Sequence, residues 1–198
     1  MDIIIYLFII YLIISQLNFI NYTLGSYKIK NNIKYNKKQL IVSTHDYEHI
    51  DIFIMLDEII KSGDHVTIVF ADKIWNRFLY YYIRLLRIHN IHFIFVNGGT
   101  VEKITNVLNK GQTVLIFSYR KNHSSGIFYS LKQTNSPLIL CKIKSSHKYT
   151  NMNQGENIFK IIRNNFNKHF IVEFINFNYN IFREEDDFIR DLQNKLYL

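Results

Sequence analysis

Cysteine, proline and charge are all scarce in this chain of 198 residues, which holds one cysteine, Cys141, and one proline, Pro137. A lone thiol leaves no intramolecular disulfide framework and no multi-cysteine zinc site. The seven glycines are scattered and no block recurs, which excludes collagen-like and solenoid architectures. Charged residues make up only 20% of the chain while hydrophobic residues reach 48%, a balance that excludes disorder. The length suits one domain around one sizeable core. Lysine and arginine number 24 against 16 aspartates and glutamates, and the surplus favours an anionic partner. Nucleic-acid phosphates, lipid headgroups and phosphorylated cofactors all satisfy that surplus.

The amino terminus is where charge is scarcest. Every residue from Ile3 to Ile14 is Ile, Tyr, Leu or Phe, and apolar character resumes at Leu17, Phe19 and Ile20. Residues 3–20 would span roughly 27 Å as a helix, against a hydrocarbon core of about 30 Å. A secretory signal fits less well, because Asp2 replaces the basic start and no small-residue cleavage pattern is present after the apolar run. A buried core helix is the plainer alternative. The expectation is a membrane helix followed by a basic juxtamembrane segment, together residues 1–38, with Lys28, Lys30, Lys34, Lys37 and Lys38 on the cytoplasmic side.

Beyond Lys38, short β-branched runs alternate with longer stretches of helical period. Strands are expected at Gln39–Ser43, His65–Phe70, His92–Val96, Thr113–Phe117, Leu138–Ile143 and His169–Asn176. Helices are expected at Ile50–Ser62, Lys73–Arg87, Thr100–Asn109 and Arg183–Leu196. Asn97-Gly98-Gly99 and Lys110-Gly111 read as turns or caps. The pattern predicts an α/β domain over residues 39–198, a mostly parallel sheet flanked by helices.

Ligands of such sheets bind at the carboxyl ends of the strands. After the first predicted strand comes Thr44-His45-Asp46-Tyr47-Glu48-His49-Ile50-Asp51, leading directly into a helix. A histidine oriented by a carboxylate can take a proton from a hydroxyl nucleophile. His45 and His49 are also spaced for a metal, and Thr44 or Asp46 could simply cap the helix. Elsewhere, His65 and His92 read as polar strand caps. His123 with its serines reads as a loop, and Trp75 with Tyr80–Tyr82 as helix packing.

The order of elements resembles the glycerolipid (lysophosphatidic acid or glycerol phosphate type) acyltransferase family. That family's first motif is His, four residues and Asp before an apolar helix. Here Ser43-Thr44-His45 leads to Asp51-Ile52-Phe53, with five residues between. Phe95-Val96-Asn97-Gly98-Gly99 is similar to the second motif, with Asn97 where the family has arginine. Gly111 to Phe117 is similar to the strand before Pro-Glu-Gly-Thr-Arg, in whose place stands Ser118-Tyr119-Arg120-Lys121. Ser136-Pro137-Leu138 looks like the last motif, and the likeness runs in order from Gln39 to Ile143.

The resemblance implies transfer of a fatty acyl group from acyl-CoA or an acyl carrier protein to a lysophospholipid or glycerol phosphate hydroxyl. It implies no metal, no cofactor beyond that donor, and no nucleic-acid partner. His45 would be the base. Asp51 would orient it if a bulge at Tyr47–His49 absorbs the extra residue, and Glu48 otherwise. Arg120 and Lys121 would bind phosphate, with Asn97 and Gly98 lining the acceptor site. The missing glutamate leaves a second expectation open: a catalytically inactive membrane scaffold or lipid-binding protein.

Overall fold

The computed structural model describes residues 27–35, 37–45, 49–71, 74–85, 88–118, 125–145 and 169–197. The apolar segment at residues 3–20 and the asparagine-rich stretch at 151–168 lie outside the described residues. Among those described, no helix is long and apolar enough to cross a membrane. The elements run in the order β1 (Tyr27–Lys30), β2 (Gln39–Thr44), α1 (His49–Ser62), β3 (Val66–Ala71), α2 (Ile74–Leu85) and β4 (Ile91–Val96). They continue with α3 (Thr100–Asn109), β5 (Thr113–Ser118), α4 (Ser125–Thr134), β6 (Leu138–Ser145), β7 (Phe170–Phe177) and α5 (Glu185–Tyr197).

These strands form a seven-stranded sheet in the order β1-β7-β6-β2-β5-β3-β4. The pairings β2–β5, β2–β6, β3–β4 and β3–β5 are parallel, as the alternation of strands and helices predicts. The chain divides into two compact units, Met1–Ile29 with Lys144–Val172 and Lys30–Ile143 with Glu173–Leu198. The first contributes most of β1, the end of β6 and the start of β7 to the described residues. The second holds β2 to β5 entire, most of β6 and every described helix.

From β2 the chain passes through α1 to β3 and through α2 to the outer strand β4. It then returns through α3 to β5, inserted between β3 and β2, and through α4 to β6 on the other side of β2. The connections therefore leave β2 and β5 in opposite directions. That reversal makes the carboxyl ends of these two adjacent strands the topological switch point of the sheet, the position at which α/β sheets characteristically hold their ligands.

Strand residues alternate between the two faces of the sheet. On one face, Leu40, Val42, Val69, Ile94, Val114, Leu138 and Leu140 meet Ile104 and Leu108 of α3, Ile127, Phe128 and Leu131 of α4, and Phe188 and Leu192 of α5 in a single core. The other face carries Ile41, Ile68, Leu115 and Ile139, all buried, with Met55 and Ile59 of α1. At the carboxyl end of that second face the filling becomes aromatic. Phe117, Phe70 and Phe93 stack across β5, β3 and β4 at centroid separations of 5.8 Å and 5.5 Å. Tyr80 of α2 closes on Phe93 edge-on at 5.6 Å.

Two elements were not foreseen. The strand β1 passes through Lys28 and Lys30, in the stretch read as a basic juxtamembrane segment. Helix α4 opens on Ser125-Gly126, in what reads as a polar loop. Gly126 sits where α3 and α4 approach each other, and a β-carbon there would meet Val101 Cγ2 at 3.1 Å.

Candidate functional site

The register of the sheet builds the site. Thr44, the last residue of β2, lies opposite Ser118, the last residue of β5. Beyond Ser43↔Cys141 the β2–β6 ladder ends, and the Thr44 hydroxyl takes over by accepting a hydrogen bond from the Ile143 backbone N–H at 3.1 Å. His45 follows at once, so its backbone leaves from a fixed strand end in the middle of the sheet. Its side chain is only 6% exposed.

Helix α1 begins at His49 and carries Asp51 in its first turn, where the helix dipole favours a negative charge. The Asp51 side chain is fully buried, and its Oδ2 lies 3.5 Å from His45 Nδ1. Five intervening residues therefore still bring acid and imidazole together. The separation exceeds an ordinary N–H···O hydrogen bond and is close enough for strong electrostatic coupling away from water. Catalytic contacts of this kind are often long before substrate binds. The bulge expected at Tyr47–His49 falls largely, and Glu48 wholly, outside the described residues.

Two side chains that the sequence reading left without a role frame this pair. The Phe117 ring tilts at 47° against the His45 ring, 5.6 Å between centroids. Beneath the pair, the Cys141 thiol is fully buried and donates toward Met55 Sδ at 3.5 Å. Burial pushes its pKa up to about 12, opposed by a hydrogen bond with Ser43 and reinforced by the nearby Asp51 charge. That coupling places the Asp51 carboxylate in the low-dielectric interior, where it can hold an imidazole in one tautomer and stabilise an imidazolium. Phe117 reaches the site as the register partner of Ser43, two residues before His45.

Of the remaining expected site residues, Asn97 and Gly98 are not brought to this pair. Asn97 and Gly98 are exposed beyond β4, at the same end of the sheet but three strand spacings from β2, roughly 14 Å at about 4.8 Å per strand. There Asn97 is engaged in a turn. Its N–H donates to Thr100 Oγ1 at 2.9 Å, that hydroxyl donates back to the Asn97 carbonyl at 2.6 Å, and Lys103 Nζ donates to its Oδ1 at 3.0 Å. Gly99 supplies the left-handed residue that caps α3, at φ 83°. Arg120 and Lys121 lie outside the described residues. Among the described residues, no group of three His, Cys, Asp or Glu side chains converges as a metal site. His65 and His92 lie at the far end of the sheet with rings stacked at 6.2 Å. Burial, then Arg84 and His65, hold the His92 pKa below its ordinary value.

The site thus consists of a nearly buried imidazole, a fully buried carboxylate and an aromatic ring beside it, at the switch point of a parallel sheet. Comparison with protein-family models and with curated proteins finds no match to this chain.

Proposed function

We propose that the chain is a membrane-bound O-acyltransferase that moves a fatty acyl group from a thioester donor to the hydroxyl of a lysophospholipid or glycerol phosphate. The observation that carries this reading is the approach of Asp51 Oδ2 to His45 Nδ1 at 3.5 Å at the carboxyl end of β2. In the proposed reaction, His45 takes the proton of the acceptor hydroxyl through its other ring nitrogen. The oxygen attacks the thioester carbonyl, the C–S bond breaks, and the departing thiolate takes the proton from the imidazolium. Asp51 stabilises the imidazolium between these two steps. The donor is acyl-CoA or an acyl carrier protein, and neither His45 nor Asp51 serves as an acyl-enzyme nucleophile.

Arg120 and Lys121 follow β5 in sequence and are proposed to bind the acceptor phosphate. Asn97 and Gly98 stand far enough out to meet only a distal part of a lipid-sized ligand. Residues 3–20 are proposed as the membrane anchor, with the catalytic domain on the cytoplasmic side. The test is incubation of membrane fractions with labelled acyl-CoA and a panel of lysolipids, wild type beside His45→Ala. Label should pass to one acceptor class in the wild type alone. Membranes holding the intact protein that label no acceptor would favour the inactive scaffold.

A further inference from the structure

Helix α2 carries a surface that nothing in the proposed chemistry uses. Its sequence, Ile-Trp-Asn-Arg-Phe-Leu-Tyr-Tyr-Tyr-Ile-Arg-Leu, contains no acidic residue. Ile83 is buried, and Tyr80 packs edge-on against Phe93 and Phe95 of β4 at 5.6 Å and 6.1 Å, which fixes the inner side of the helix. Arg77, Tyr81 and Arg84 follow at four- and three-residue steps and so share one stripe. Tyr81 is 68% exposed, a large amphipathic ring left in solvent. It stands edge-on to Tyr80 at 5.3 Å, and the Arg84 guanidinium lies over the Tyr80 ring at 5.5 Å. The inner aromatic layer thus supports both the outer ring and the outer cation.

We infer that the Arg77–Tyr81–Arg84 stripe seats on the anionic headgroup layer of a lipid bilayer. The charge complementarity is one-sided, with two guanidinium groups on a helix that has no carboxylate and in a chain of net charge +8. Guanidinium pairs well with phosphate oxygens. A tyrosine between two such groups suits the interface, where the ring enters the acyl boundary and the hydroxyl stays wet. A phosphate in solution offers the ring nothing. A nucleic-acid duplex, whose bases are stacked on one another, would reward the arginines and leave Tyr81 without an apolar partner. The inference does not depend on the chemistry at His45.

The test uses the full chain reconstituted into bilayers of phosphatidylcholine alone or mixed with phosphatidylglycerol. The buried Cys141 thiol is shielded from reagents, so a Tyr81→Cys variant can be labelled selectively with an environment-sensitive nitrobenzoxadiazole dye. Emission should rise severalfold and shift to the blue in the anionic bilayer, and high salt should reverse the gain. Adding Arg77→Gln and Arg84→Gln should abolish the gain, whereas Arg84→Lys should retain it. The salt titration on the charged protein stands even if the double variant folds poorly. Equal emission in both bilayers would overturn the inference. So would a gain that survives removal of both charges, or one that duplex DNA or inorganic phosphate reproduces in the neutral bilayer.

Discussion

Thr44 Oγ1 accepts a hydrogen bond from the Ile143 backbone N–H at 3.1 Å, joining the last residue of β2 to β6 just where their ladder stops. A side chain here replaces a backbone carbonyl, and the next residue along is His45. Thr44→Val keeps the shape and deletes the acceptor, leaving a buried N–H unpaired. The expected loss is about 1–3 kcal/mol of stability, read by denaturant titration. Slower hydrogen exchange at Ile143 in that variant would contradict the assignment.

The opposite face depends on aromatic packing around Phe188. This residue is fully buried and meets Phe128 at 5.2 Å and both Phe177 and Phe182 at 6.0 Å. Phe188→Ala should cost about 3–5 kcal/mol, because the surrounding rings belong to three separate parts of the chain and cannot close the cavity together. Calorimetry of the variant should show a melting temperature lower by many degrees. A change of under a degree would mean that α5 is not docked against these rings.

The Cys141 thiol gives a pH dependence with a definite sign. Its folded pKa is raised to about 12 from an ordinary 9.0, so the unfolded chain releases this proton first as pH rises. The unfolded state then binds fewer protons, and stability falls with pH across that window. The contribution is complete below about pH 9 and is lost as pH climbs toward 12. Thiol reagents at pH 8 should leave the folded protein unmodified and react on unfolding. Cys141→Ser, which cannot ionise in this window, should remove this part of the alkaline slope.

Adjacent glycines before α3 should respond differently. Gly99 has a φ of 83°, and Gly99→Ala should cost about 1 kcal/mol through backbone strain alone, since no atom lies within 4 Å of the added carbon. Gly98 has the same open space without the positive φ, so Gly98→Ala should leave stability within about 0.5 kcal/mol. A change in acceptor affinity in that second variant would therefore report on binding rather than folding.

Most of the fold is legible from local pattern. The runs 39–43, 113–117 and 138–143 appear as strands because short stretches of Leu, Ile and Val dominate them, and each extends only one or two residues further in the structure. Helix α3 matches its expected range, Thr100–Asn109, since Gly99 and Lys110-Gly111 mark both ends. Strand β1 escaped because Tyr-Lys-Ile-Lys places lysines at alternate positions, which reads as a charged segment when its neighbours are unknown. Helix α4 escaped because its serines and glycine favour turns, while its formation depends on burying Ile127, Phe128 and Leu131 against α3 and α5.

The chemistry of the site was legible in part. Histidine and aspartate could be named from sequence, but their meeting could not be derived from a helical step of about 100° per residue. His45 is not on the helix. It follows β2 and α1 starts only at His49, so the placement of the strand end against the helix start sets the distance to Asp51. Phe117 belongs to the site through a strand pairing between segments far apart in sequence, which no local pattern reveals.

The initial rate of acyl transfer from labelled acyl-CoA tests the central claim most directly, with wild type, His45→Ala, Asp51→Asn and the double variant compared at equal protein level. Each single change should lower the rate by about 10²–10⁴-fold. The double variant should fall little further, since base and orienter act as one unit. Undiminished transfer by His45→Ala would contradict the assignment of that imidazole as the base.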